Sequence, residues 1–502
     1  DSLSDKAEID SGYNPLLPLR TVYVDNAKAD DSGDGLSPAN AKKTVSGALA
    51  VSENAGYENE IVLAAGTYSG TLNRDLEFGT FNLIIRSASG AANTIINLES
   101  SGQFLYLYCP ARIEGLTISN GYIENYDGGA IYATDYEVTV KDCVFNSNET
   151  SDYGGALSIE YGIANIINCQ FTNNCSWAFG AVWLRNNSDV LISNCEFNWN
   201  VALLSKGGAV GIDVNYNTTE VYNCKFIENE ADTDCGALYM ITHEDATLNV
   251  TNCLFAENVA NNGDIYIDGY TTLNLLNSTI IKSASNVPTC RVNTAAIANM
   301  QNNILIGSFV EFGTINADSN CCPNDLSSYG DGNITASPLL DSNYCLTENS
   351  PCIDIGIAAG APDEDLVGVE RPQGSGIDFG CYEFKNSFTD SDNDGMDDAW
   401  EMEHFGNLDQ TANGDYDNDG ATNLEEFIHN TNPASYSDVD SDGMSDDWEK
   451  VHFGGSSSQT ATGDYDSDGV SNLMEYLLGR KPEKAAVNDS ATVQLKIFTQ
   501  LN

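Results

Sequence analysis

The chain has 502 residues, 41% of them hydrophobic, and a formal charge of −53 from 74 Asp+Glu against 21 Lys+Arg. That length and apolar content exclude a disordered polymer and predict two or three domains, while the charge excludes nucleic acid and anionic membrane surfaces as partners. So large a carboxylate excess is tolerated where divalent cations neutralise part of it, which points to calcium and to a secreted or cell-surface location.

No apolar run reaches the roughly 18 residues that a membrane span needs, so no membrane insertion is expected. A start at Asp1 without Met or a leader reads as a processed, mature form. Residues 1–20 read as an extended N-terminal tail whose Leu16, Leu17 and Leu19 offer anchors to a neighbouring copy or form a plain flexible leader. Next comes a short amphipathic helix, with Val45, Ala48 and Leu49 on one face.

From there to residue 345 the sequence repeats. The phrase Asn/Asp-Cys-x-Phe-x-x-Asn occurs with cysteines at 143, 169, 195, 224 and 253, spaced 26, 26, 29 and 29 residues apart. Its cysteine slot continues as Leu116 upstream and as Ser278 and Ile304 downstream, followed two residues later by Ile118, Ile280 and Ile306, so eight turns share one register. A second phrase precedes it in each turn: GGAIYA from Gly128, GGALSI from Gly154, GAVWLR from Gly180, GGAVGI from Gly207, GALYMI from Gly236 and GDIYID from Gly263.

Alternation of period two in these segments puts Ile131 and Ala133, Leu157 and Ile159, Val182 and Leu184, Val210 and Ile212, Leu238 and Met240, and Ile265 and Ile267 on one inward face. A turn this small cannot bury its own apolar face, so the turns must stack into a parallel β-helix with ladders of equivalent side chains about 4.8 Å apart. The recurrent cysteines read as small buried hydrophobes of such a ladder, with Cys175 and Cys235 outside it.

The outward positions form two columns, Tyr132, Ser158, Trp183, Gly211, Tyr239, Tyr266 and, two residues on, Thr134, Glu160, Arg185, Asp213, Ile241, Asp268. Aromatic faces stack on pyranose rings while charged groups bond their hydroxyls, which makes Tyr132, Trp183, Tyr239 and Tyr266 candidates for carbohydrate binding. Glu160 and Asp213 lie two turns apart, roughly 9.6 Å by strand spacing, at the upper edge for an inverting carboxylate pair. Arg185 between them could serve as a lyase base; the alternative is a packed or solvated surface ladder.

The stacked NCxF and GGA phrases, together with the entry TVYVDNAKADDSGDGLSPANAKKTVSGALAV, resemble the pectate-lyase-like right-handed β-helix superfamily over roughly residues 20–345. The resemblance implies that the helix near residue 45 caps one end of the coil and that polysaccharide lysis or hydrolysis is a possible activity. The polygalacturonase motifs NTD, GHG and RIK are missing. Residues 346–386, with SPCIDIG at Ser350 and GIDFGCYEF, resemble a small module behind bacterial surface β-helices, and are expected to cap the other end, with Asp354, Arg371 and Asp378 structural. One or two disulfides among Cys321, Cys322, Cys345, Cys352 and Cys381 are expected, with connectivity open.

Residues 387–483 change character and contain four loops of the form D-x-D-x-D-G-x-x-[DN]-x-x-E. That spacing offers the six to eight oxygens a calcium ion takes: carboxylates at loop positions 1, 3 and 5, a turn glycine at 6, a carbonyl at 7 and a bidentate glutamate at 12. The expected ligands are Asp390, Asp392, Asp394, Asp398 and Glu401; Asp415, Asp417, Asp419, Asn423 and Glu426; Asp438, Asp440, Asp442, Asp446 and Glu449; Asp464, Asp466, Asp468, Asn472 and Glu475. The carbonyls of Met396, Ala421, Met444 and Val470 complete the four sites, so about four Ca²⁺ are expected.

The loops resemble EF-hand-like, dockerin-like or thrombospondin-type-3-like calcium repeats of bacterial surface proteins, which implies a bacterial extracellular setting. Trp400, His404 and Phe405 recur as Trp448, His452 and Phe453, and the histidines read as packing residues. Residues 484–502 alternate as a strand with no hairpin partner, so they pair on their own coil or on another copy, where strand addition would propagate a filament. The sequence therefore predicts an all-β, calcium-stabilised β-helix acting as a structural, adhesive or glycan-binding component, with a polysaccharide lyase or glycoside hydrolase as the alternative.

Overall fold

In the computed structural model, which describes residues 19–482 apart from 53–57, 80–81, 205, 283–287, 325, 386–390, 393, 430, 439, 441, 454–458, 467–469 and 479, each position of the repeated phrase has its own physical task. The leading residue turns a corner: Asp142, Asn168, Asn194, Asn223 and Asn252 have φ between 52° and 54°, the left-handed region that Asn and Asp enter more cheaply than other side-chain-bearing residues. Cys143, Cys169, Cys195, Cys224 and Cys253 point inward and are at most 1% exposed. Burial pushes the first four of these thiols well above their usual range, so they pack as apolar groups and do not react.

The phenylalanines form a stack, Phe145 on Phe171, Phe197, Phe226 and Phe255, with ring centroids 4.7–4.9 Å apart and planes within 4° of parallel. The closing asparagines, Asn148, Asn174, Asn200, Asn229 and Asn258, are buried and donate from Nδ2 to the next Oδ1 along the column at 2.9–3.1 Å. Each acceptor oxygen also takes a backbone N–H at 3.0 Å, so the polar column is satisfied internally.

The turns stack through parallel pairings into a twenty-stranded, a ten-stranded and a five-stranded sheet. One turn shows the pattern: Ile131–Thr134 and Val138–Lys141 belong to the long sheet, Val144–Asn146 to the second and Glu149–Thr150 to the third. Ile131 pairs with Leu157, Leu157 with Val182, Val182 with Val210 and Val210 with Leu238, and the expected inward residues of these strands line one continuous core.

The register departs from expectation at the last repeat. Thr279 pairs with Ile304 and Ile280 with Leu305, so Asn303 occupies the cysteine slot and Leu305, not Ile306, continues the phenylalanine column. Leu305 belongs to the interior and Ile304 faces out. A one-residue slip exchanges the faces of a strand, and the buried Asn303 is what apolar pattern-matching misses: its Nδ2 donates to Leu275 O and Asn320 Oδ1 at 2.9 Å.

At the start, the strand Leu19–Val24 begins inside the expected tail because it pairs with Glu58–Leu63. Helix α1, Val45–Ser52, buries Val45, Ala48 and Leu49 in the same core. At the other end Cys322 and Leu326 close the interior, with Tyr329 packed on it.

Residues 346–385 do not sit over that end but along the flank. Leu366, Cys381 and Tyr382 pack on Leu254 and Ala256, and Leu346, Cys352 and Phe379 on Ile304 and Cys321. Outward strand positions at 254, 256 and 304 are apolar for this reason. Arg371, buried, pairs with Glu383 at 2.7 Å and donates to Gly380 O at 3.0 Å, and Asp378 accepts the Asp354 N–H at 2.8 Å. All fourteen cysteines are free; the thiols of Cys321 and Cys352 hydrogen-bond to each other, and Cys345 packs in the cluster of Cys381.

The chain divides into two compact units after Lys385. The second contains helices α2 Asp398–His404, α3 Asn423–His429, α4 Asp446–Phe453 and α5 Asn472–Leu478, each opening at loop position 9 with acidic residues in its first turn, where the helix dipole favours them. Trp400 meets Phe427 edge-on at 5.2 Å and Trp448 meets Tyr476 at 5.1 Å. His404 and His452 each lie 4.7 Å from the neighbouring tryptophan. Residues 1–18 of the expected tail 1–20, and the whole expected strand 484–502, lie outside the described residues.

Candidate functional site

On the outer face of the coil, parallel pairing sets Thr134, Glu160, Arg185, Asp213, Ile241 and Asp268 side by side on successive strands. Glu160 is buried, Asp213 half-buried and Arg185 exposed. Burial raises the Asp213 carboxyl, opposed by His243, Arg185 and Lys206. The Glu160 carboxyl is also raised, first by burial, while a hydrogen bond with Asp127 and the Arg185 charge favour its ionised form.

Asp127 was not legible as a site residue. It precedes the Gly128 corner, accepts the Tyr153 N–H at 3.1 Å and is pushed up to about 7, first by burial and then by Asp152 and Glu160. Two close carboxyls cannot both ionise cheaply, so Asp127 and Glu160 share a proton and titrate as a pair. The pairing crosses from a corner of one turn to a strand of the next, a contact that linear spacing does not show.

The aromatic candidates have a different environment. Trp183, Tyr239 and Tyr266 are 6%, 1% and 6% exposed. Phe179 stacks on Trp183 at 4.2 Å with planes 1° apart and leans on Tyr239 at 5.7 Å, and Tyr239 meets Tyr266 edge-on at 5.1 Å. The gap in the column at Gly211 is where Phe179 lies: a Cβ there would be 2.0 Å from its ring. Phe179 replaces the first glycine of the GGA phrase and keeps its left-handed backbone, with φ 61°. Lys206 lies 4.7 Å and Arg291 4.9 Å over the Tyr239 and Tyr266 rings. Tyr132 is half-buried beside Glu160 and Asp127.

Open aromatic faces lie instead at the corners beside this column: Tyr136, Tyr161 and Tyr216, just after the strands that carry Thr134, Glu160 and Asp213, are 44%, 51% and 71% exposed. Across the strand, Tyr153 and Trp177 are 40% and 53% exposed.

In the second unit, the turn glycines Gly395, Gly420 and Gly443 have φ of 95–106°, and the loops curl their carboxylates together. Asp392, Asp394 and Glu401, then Asp415, Asp417 and Asp419, then Asp438, Asp440 and Asp442 present oxygens within 4.8 Å of one another. Asp415 and Asp438 also accept the N–H of loop positions 5 and 6 at 3.0–3.2 Å. Asp390 and Asp468 lie outside the described residues.

Position 9 does other work: Asn423 accepts from Tyr416 N at 3.1 Å and donates to Thr411 O at 3.0 Å, and Asn472 repeats both bonds with Tyr465 and Thr460. Asp398 and Asp446 accept from Ser391 and Ser437. These four residues lock the loop to its helix, so a cation would reach position 9 through water.

The position-12 glutamates test whether a cation fits. Glu426 and Glu449 are fully buried, and no hydrogen bond reaches either oxygen of either side chain. Burial, then neighbouring carboxylates, raises Glu426 to about 9 and Glu449 to about 7. A buried carboxylate without donors is costly, and an oxygen-seeking divalent ion at that point removes the cost. These acidic clusters can hold a metal ion.

Comparison with known proteins adds the following. Residues 83–280 match the family model described as a right handed beta helix region. No curated protein matches the chain. Among solved structures, the crystal structure of pectate lyase Pel9A is similar, at 14% identity over 74% of this chain and 98% of that one, with a TM-score of 0.47. The GH136 lacto-N-biosidase from Eubacterium ramulus is similar at 11% identity over 60% of this chain and 67% of that one, with a TM-score of 0.34. The family match and the stacked parallel pairings together make the first unit a right-handed parallel β-helix.

Proposed function

We propose that this is a secreted or cell-surface β-helix protein, stabilised by about four Ca²⁺ in its C-terminal loops, that holds a polysaccharide along the outer face carrying Glu160, Arg185 and Asp213. The observation that carries the glycan reading is the row of exposed Tyr136, Tyr161 and Tyr216 along one corner beside those charges, since open ring faces next to hydrogen-bonding groups are what sugar rings stack on. The calcium reading is supported by the buried, donor-free Glu426 and Glu449. In this scheme α1 caps the coil, and segments 1–18 and 484–502 would strap copies together into an adhesive or filamentous layer. Glycan-array binding by the calcium-loaded protein, lost in Tyr161→Ala and Tyr216→Ala, tests it; equal binding by these variants would sink the glycan surface.

A second reading, a polysaccharide lyase or hydrolase, is favoured by the Asp127–Glu160 pair beside Arg185. A carboxyl that keeps its proton near neutral pH can donate it to a leaving oxygen, and an ionised partner can act as base. Release of reducing or unsaturated ends from a polysaccharide panel, abolished by Glu160→Gln, would establish this activity; binding without release would leave the chain a binding protein.

A further inference from the structure

Among the acidic clusters, one crosses between loops. Asp419 and Glu426 of loop 415–426 and Asp447, in the helical end of the next loop 438–449, place carboxylate oxygens within 4.8 Å of one another. Glu426 and Asp419 are fully buried, and neither Glu426 oxygen has a hydrogen-bond partner. The Asn432 N–H holds the Asp447 carboxylate in place. From these contacts we infer that Asp447 is a ligand of the divalent cation of loop 415–426, so that the second site is completed only when the third loop and its helix are folded against it.

The repeat itself agrees. Aligning the two copies on their Met-x-x-x-Trp-Glu phrase places Asp447 opposite Ala399. No loop of this form precedes the first one, and at the matching position the residue is alanine, which has no carboxylate. Two further contacts link the loops: Tyr476 Oη, just after the fourth loop, donates to Asp419 O of the second at 2.7 Å, and Ala461 N, just before the fourth, donates to Asp442 Oδ2 of the third at 2.8 Å. Loops two, three and four therefore share walls, and a cation in one orders ligands of the next.

The inference rests on the calcium reading, and the test separates the two. Calcium uptake by the full chain is followed by titration calorimetry and Tb³⁺ luminescence for the parent, Asp447→Asn, Glu426→Gln and the double variant. A direct ligand contributes at least as much as an outer-shell partner, so Asp447→Asn is expected to weaken one site by about tenfold or more. Adding it to Glu426→Gln should change nothing further, because that site is already lost. A parent-like curve for Asp447→Asn, or an undiminished loss in the Glu426→Gln background, overturns the cross-loop ligand while leaving calcium binding intact. A parent that takes up no calcium overturns both.

Discussion

Asp264 is fully buried with Lys282 Nζ 2.7 Å from its Oδ1, and Lys282 is itself only 3% exposed along its side chain. Burial raises Asp264 to about 6 while Lys282 opposes the rise. Removing one partner strands the other, so Lys282→Met is expected to cost about 3–5 kcal/mol in urea unfolding, and Asp264→Asn added to it should recover most of the loss. The Asp127–Glu160 pair makes a pH prediction. Both folded values are raised above those of the unfolded chain, so folding takes up protons; their stabilising contribution is complete below about 4 and is lost as pH rises through about 7. The urea midpoint should fall between about pH 4 and 7, and Asp127→Asn should flatten that fall. At Gly211 the constraint is steric: Gly211→Ala drives a methyl into the Phe179 ring and should destabilise by about 1–3 kcal/mol.

A ladder has no spare member. Asn200 donates to Asn229 Oδ1 and Phe171 O, and its own Oδ1 accepts from Asn174 Nδ2 and Asn174 N. Truncating it leaves the two Asn174 donors without that acceptor in the interior, so Asn200→Ala should cost about 2–6 kcal/mol, one to three for each stranded group. Replacing Cys195 by Ala frees only one donor, the Cys169 N–H that Sγ accepts at 3.4 Å, and sulfur is a weak acceptor, so that change should cost less. Thermal unfolding of the two variants gives the order, and a milder Asn200→Ala would show that the ladder adapts. The flanking segment at residues 346–385 follows the same logic, since it satisfies corner asparagines: Asn252 donates to Glu364 O at 2.6 Å and Asn302 to Ile357 O at 2.8 Å.

At the scale of the molecule the two units depend on different forces. The coil holds itself through a continuous apolar interior and closed polar ladders, whereas the loops from Asp392 to Glu475 gather carboxylates that repel without a cation. Eighteen ligand carboxylates are expected there; four Ca²⁺, if bound, would offset eight of those charges. Calorimetry should show two transitions, with that of residues 386–482 falling or disappearing in chelator and that of the coil unmoved. A single transition insensitive to chelator would contradict the calcium reading.

The sequence by itself determined whatever repeats. A period of 26 to 29 residues forces stacking, the inward alternation names the core, and D-x-D-x-D-G spacing gathers oxygens on a local turn, because each needs only short-range chain geometry. Tertiary structure decided what depends on neighbours from other turns. It set Phe179 over Gly211 and so buried Trp183 and Tyr239; it brought Asp127 to Glu160; it moved the last repeat by one residue through the Asn303 ladder; and it carried Asp447 to the loop before its own. In each case the partner lies in another turn or loop, where contact is governed by the corner's direction and the stacking register, and the local pattern along the chain carries neither.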